Sequence, residues 1–131
     1  MIECIRLWTN DHQLSEFERG CVDLAPGKPG DLVSAGMAAG AVFFSETGSG
    51  GRFGWHTAPS RRLVITLSGN LEFQLRDGRT FLLHPGIVLL AEDTTGSGHA
   101  WRLIGPDPWR RLYVTLAAAE PVPFRTDPLP P

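Results

Sequence analysis

Two histidines stand where a strand-like run meets a loop. His56 ends one run and is followed by Thr57-Ala58-Pro59, while His99 opens another directly after Gly96-Ser97-Gly98. Imidazole ligates divalent metals, exchanges protons near neutral pH and hydrogen-bonds to bound molecules. Arg62 follows His56 closely, and its guanidinium stays protonated and grips a carboxylate or phosphate through paired N–H donors. Residues two apart on a strand share a face. Trp101 therefore lies on the side of His99, Trp55 points away from His56, and Arg62, Val64 and Thr66 share one side of their strand. An aromatic ring beside such a pocket stacks on a sugar or another planar ligand. His56, Arg62, His99 and Trp101 thus form a candidate ligand-binding set for a small anionic or sugar-like molecule.

The other polar residues are expected to do less. Eleven of the twelve basic residues are arginine, and Arg61, Arg102, Arg110 and Arg111 are expected on outer, solvated faces. Glu16 and Glu18 are expected in solvent, and His84 in the turn His84-Pro85-Gly86. Phe43 or Phe44, and Phe73, are expected in the core, as are most of the tryptophans. Ser45, Ser49 and Ser68 lack the strand-to-helix setting of a nucleophile elbow. Gly48-Ser49-Gly50-Gly51 lacks the lysine and helix of a phosphate loop. Cys4 and Cys21 form neither a CxxC pair nor a Cys/His cluster, and are expected as reduced thiols, one or both of them buried.

The chain has 131 residues, with 42% hydrophobic, 20% charged and a net charge of −2. That length suits one domain with a real core. The charge gives no general attraction to nucleic acid or an anionic membrane, so neither is an expected partner. The longest apolar run is too short to span a bilayer, and the first residues carry no signal-type stretch. A cytoplasmic location is expected.

The elements that must position the candidate residues read as strands. Fifteen glycines and eleven prolines punctuate short alternating runs, and no apolar pattern holds a helical period beyond about two turns. Strands are predicted over 4–8, 41–44, 52–57, 62–67, 71–76, 80–83, 87–91, 99–104 and 109–116. Tight turns are predicted at Ser68-Gly69-Asn70 and, as a type I′ hairpin, at Asp77-Gly78. The last two runs are predicted to pair around Gly105-Pro106-Asp107-Pro108. Ile87 to Ala91 reads as a strand buried on both faces, and Gln13 to Arg19 as a helical turn or an edge strand. This is the pattern of an all-β antiparallel barrel or double-sheet jelly roll. Residues 41–116 form its core, 1–40 add one or two strands and an irregular arm that cover an open edge, and the proline-rich tail 117–131 is extended or disordered.

Trp55 to Gly69, then Asp77-Gly78, His84-Pro85-Gly86 and the loop Glu92-Asp93-Thr94-Thr95-Gly96-Ser97-Gly98-His99 resemble small single-domain cupins, closest to compact bacterial members of unassigned function with an E-D-T-T-G-x-G-H loop. Arg6-Leu7-Trp8-Thr9 and Phe17-Glu18 fit their N-terminal pattern. The resemblance implies a cupin-type β-barrel and a homodimer, with which an apolar outer stripe of Leu63, Ile65 and Leu67 agrees. It also implies a divalent metal, whose four ligand positions fall on His56, Ala58, Arg62 and His99. Only the two histidines can ligate, so a zinc, nickel, manganese or iron site would need help from water or from Glu92, Asp93 or His84. Three functions stay open: a small-molecule-binding cupin, a metal-dependent cupin enzyme of isomerase or oxygenase type using His56 and His99, and a structural or interaction module with a filled lumen.

Overall fold

The computed structural model describes residues 1–126, and all its regular secondary structure is β strand, with no helix among the described residues. In chain order the strands are β1 (Glu3–Thr9), β2 (Ser15–Val22), β3 (Ala25–Pro26), β4 (Leu32–Val33), β5 (Ala39–Thr47), β6 (Arg52–His56), β7 (Arg62–Ser68), β8 (Asn70–Gln74), β9 (Thr80–Leu83), β10 (Ile87–Ala91), β11 (His99–Ile104), β12 (Trp109–Leu116) and β13 (Phe124–Thr126). They build a seven-stranded sheet ordered β13-β2-β1-β10-β7-β12-β5, a four-stranded sheet ordered β6-β11-β8-β9, and a short β3–β4 ladder. Every pairing is antiparallel except that of β1 with β10.

The all-β class is as expected, but neither large sheet closes on itself, so in place of a barrel there are two open sheets facing each other. Their shared core shows the facing: Ile5, Leu7, Val64 and Leu89 come from the larger sheet, and Leu71, Phe73, Phe81, Leu83 and Trp101 from the smaller. Each fully buried side chain of this size contributes roughly 1.5–3 kcal/mol of transfer free energy.

Several expected hairpins are passages from one sheet to the other. The chain leaves β7 and enters β8 at Gly69, and the strands on either side of Gly105 to Pro108 also lie in different sheets. Ser68 Oγ anchors the first passage by donating to the Pro108 carbonyl at 2.8 Å. A short turn joins strands equally well in one sheet or across two, which is why turn signals predicted breaks better than partners. The turn at Asp77-Gly78 is a true hairpin, but only Gly78 takes a positive φ, of 92°. A type I′ turn needs positive φ at both central residues. The loop is therefore the longer form, with Gly78 left-handed and Leu75 N donating to the Arg79 carbonyl.

The N-terminal segment is more deeply built in than expected. β1 lies inside the seven-stranded sheet, and β2, where a helical turn or edge strand was expected, is flanked by β1 and β13. In the tail, Phe124–Thr126 is a strand on β2 rather than free chain, while 127–131 lie outside the described residues. The double burial of β10 is as expected: Leu89 packs between the sheets and Leu90 packs outside with Cys4 and Leu116. Met37, Val122 and Phe124 cover that outer cluster. Phe73 is core, but Phe43 and Phe44 are 41% and 71% exposed on the edge strand β5.

Candidate functional site

Between the sheets a cavity of about 270 Å³ remains unfilled, and His56, Arg62, His99 and Trp101 all line it. Its walls also include Phe43, Phe53, Phe73, Trp109, Arg111 and Tyr113. The histidines meet because β6 and β11 pair antiparallel with His99 opposite His56, and a register shift follows between His99 and Trp101. Their ring centroids are 4.5 Å apart, edge to face.

The glycines before His99 make this approach possible. A Cβ on Gly98 would collide with the carbonyl of His56, and one on Gly96 with the carbonyl of Gln13. Both glycines have positive φ, a conformation that side-chain-bearing residues adopt at a cost. The Gly-x-Gly-His spacing is therefore a packing requirement that seats His99 against His56.

Each ring is held through Nδ1. His99 Nδ1 lies 2.6 Å from Asp93 Oδ2, which also accepts from Ser15 Oγ at 2.8 Å, and Asp93 is fully buried. The carboxylate accepts a hydrogen bond from the ring Nδ1–H, so His99 presents Nε2 as its free nitrogen. His56 Nδ1 lies 2.7 Å from the Gly54 carbonyl, and Phe53 stacks on the ring at 4.1 Å. Burial, chiefly, pulls the His56 pKa below its ordinary value, with the hydrogen bond to Gly54 opposing.

Arg62 stands in the cavity wall. Its Nε donates to the Ser60 carbonyl and its Nη2 to Ser60 Oγ, both at 2.9 Å. The guanidinium also stands 5.3 Å from the Tyr113 ring centre and 5.6 Å from that of Phe43. Burial lowers its pKa somewhat, which leaves an arginine charged at any ordinary pH.

Two arginines expected on solvated faces are withdrawn from solvent, one of them inside the cavity wall and the other partly buried. Arg111 is only 6% exposed. Its Nε donates to Tyr113 Oη at 3.0 Å, and its Nη1 donates to Thr47 Oγ1 at 2.8 Å and to the Trp109 carbonyl at 3.1 Å. It lies 3.8 Å over the Trp109 ring. The signal for it was parity, because Trp109, Arg111 and Tyr113 alternate onto one face of β12. Arg61 is the other. It pairs with Glu92 at 2.5 Å and donates to the carbonyls of Ala117 and Glu120, tying the tail to the sheet. Arg102 and Arg110 sit outside, paired with Glu72 and Glu46.

The helpers considered for a metal are mostly engaged elsewhere. Glu92 is held by Arg6 at 2.6 Å and by Arg61, Asp93 Oδ2 is taken by His99 and Ser15 while its Oδ1 is buried without a hydrogen-bond partner among the described residues, and exposed His84 contacts the Pro85 carbonyl. Ala58 is buried and offers only a methyl group. Among the described residues no group of three or more His, Cys, Asp or Glu converges. Two imidazoles beside a guanidinium do not fit the three or four N, O or S ligands that a divalent metal takes. A larger, more open groove of about 650 Å³ lies around Arg6, Arg61 and Glu92, where Glu92 and Glu18 pair with the two arginines.

No protein-family model matches the chain, and no curated protein matches it. Among solved structures, the crystal structure of protein NMB1881 from Neisseria meningitidis is similar over 63% of this chain and 84% of its own, at 13% identity and a TM-score of 0.43. No helix of the described residues is long and apolar enough to cross a membrane.

Proposed function

We propose that this chain is a small cupin-type sandwich that binds a small anionic molecule in the cavity between its sheets. One observation carries the reading: Arg62 and Arg111 both line that cavity, and neither is paired with a carboxylate among the described residues. Arg111 is only 6% exposed; a cation held away from water without a counter-charge is costly, and an anionic ligand removes that cost. His56, His99 and Trp101 add hydrogen-bonding and stacking surface around the same space. The cupin part of the reading is supported by the repeated passage of the chain between two sheets and by the two motif histidines standing opposite each other.

The test is calorimetric titration with acetate, benzoate, inorganic phosphate, glucose 6-phosphate and neutral glucose, on the native chain and on Arg62→Leu. The native chain is expected to bind at least one of the anions. The variant is expected to bind that anion about tenfold or more weakly, the effect of losing one charge-assisted contact, with its unfolding midpoint retained. Binding of glucose alone, or equal binding by the variant, would overturn the proposal.

A further inference from the structure

The donors and walls of the cavity narrow the chemistry of its occupant. A guanidinium has five N–H donors. In Arg111 three are spent on Tyr113, Thr47 and Trp109, and the two on Nη2 have no partner among the described residues. In Arg62 the two on Nη1 are likewise without one. Both guanidiniums stand against the Tyr113 ring, at 5.3 Å and 5.6 Å. The cavity is thus lined by two cations with donors to spare, set beside one phenol.

Most of the remaining wall is apolar. Val64, Phe73, Leu89 and Trp109 close it inside, and Phe43 and Phe53, both partly exposed, stand at its rim. A phosphate dianion would bring more lone pairs than the free donors can meet, and a sugar would bring several hydroxyls to a wall with few polar groups. Both mismatches are penalised wherever the ligand's polar groups leave water without a partner. A carboxylate needs fewer donors and takes guanidinium N–H groups in pairs. At about 270 Å³, the space falls just under the ~300–1,000 Å³ of pockets for drug-sized ligands, so the rest of the molecule is small.

We infer that the occupant is a small monocarboxylate with a flat, apolar body, and that Arg111, the more buried guanidinium, is its inner anchor. This rests on the anion-binding reading above and names the ligand class for that site. The carboxylate lies between Arg111 and Arg62, and the body lies among the aromatic rings.

The experiment is calorimetric titration of the native chain with benzoate, its neutral isostere benzamide, acetate, and inorganic phosphate. Benzoate is expected to bind about tenfold or more tightly than benzamide, which reads the charge, and than acetate, which reads the apolar body. Phosphate is not expected to displace it. Phosphate or acetate binding as tightly as benzoate would overturn the ligand class and leave the anion site standing. Failure of every anion in this set and of glucose 6-phosphate would overturn both.

Arg111→Met is expected to weaken benzoate about tenfold or more. Arg111→Lys keeps the charge, protects the test against a misfolded variant, and is expected to weaken benzoate at least about fivefold because the planar fork is lost. Native-like benzoate affinity in a folded Arg111→Lys or Arg111→Met protein would remove Arg111 as the anchor.

Discussion

Arg111 shows how one side chain can serve packing and recognition together. Its guanidinium covers the Trp109 ring, its bonds to Thr47 and Tyr113 fix the plane of the fork, and the same residue lines the cavity. His56 gives a second prediction at this scale. Its folded pKa lies below 6.5, mainly through burial, so the folded state favours the neutral ring while the unfolded chain gains a proton below that pH. The stabilisation is complete above 6.5 and is lost as pH falls through the folded value. His56→Gln should therefore flatten the acid side of the profile, seen as a smaller drop in urea midpoint between about pH 7.5 and pH 5; an unchanged drop would remove His56 as its source. Strand parity made His56, Arg62, His99 and Trp101 legible in the sequence. It would have placed Arg111 as well, had the usual solvation of a strand arginine not been given more weight than its alternation with Trp109 and Tyr113. Ser15 was hidden because its bond to Asp93 is long-range, from the start of β2 to the loop before β11. Asp93 was legible only as a metal ligand, although it lies in the loop that leads into His99 and orients that ring.

At the scale of elements, the longer strands were legible, while the short β3, β4 and β13 and the partners of the rest were not. Alternation and glycine-proline punctuation mark where a strand stops, but whether the next one joins the same sheet depends on packing between sheets, which has no local signature. The crossing at Gly69 and the pairing of Phe124–Thr126 with β2 are both of this kind. The loop before β11 carries the element-scale prediction. Gly98 combines a φ of 69° with a backbone contact to His56 that leaves no room for a Cβ. Gly98→Ala should cost at least about 2 kcal/mol by denaturant titration. Gly54→Ala, on β6 with open space around its Cβ position, should stay within about 0.5 kcal/mol. Equal costs would show that the loop yields to a side chain and does not pin the two histidines.

Across the whole molecule, the two faces of the seven-stranded sheet differ in how they are covered. The inner face meets the smaller sheet. The outer face is covered over β1 and β10 by Met37, Val122 and Phe124, while toward the β5 edge Val42, Phe44 and Leu67 stay 59%, 71% and 53% exposed. The ladders set Phe44, Leu112 and Ile65 in one row and Val42, Val114 and Leu63 in the next. Contiguous apolar rows of this kind mark association surfaces. Two copies are expected to pair through this face, giving a dimer by light scattering; a monomer at tens of micromolar would contradict it.

The cavity itself is tested most directly by the tryptophan indole N–H signals in a nitrogen–proton correlation spectrum, followed while benzoate is added. Trp101 and Trp109 line the cavity, whereas Trp8 lies at the outer groove and Trp55 is held under Arg76 at 4.0 Å. The account predicts saturable shifts at Trp101 and Trp109, with Trp8 and Trp55 unmoved. Shifts confined to Trp8 or Trp55, or none at saturating benzoate, acetate and phosphate, would contradict an anion site between the sheets.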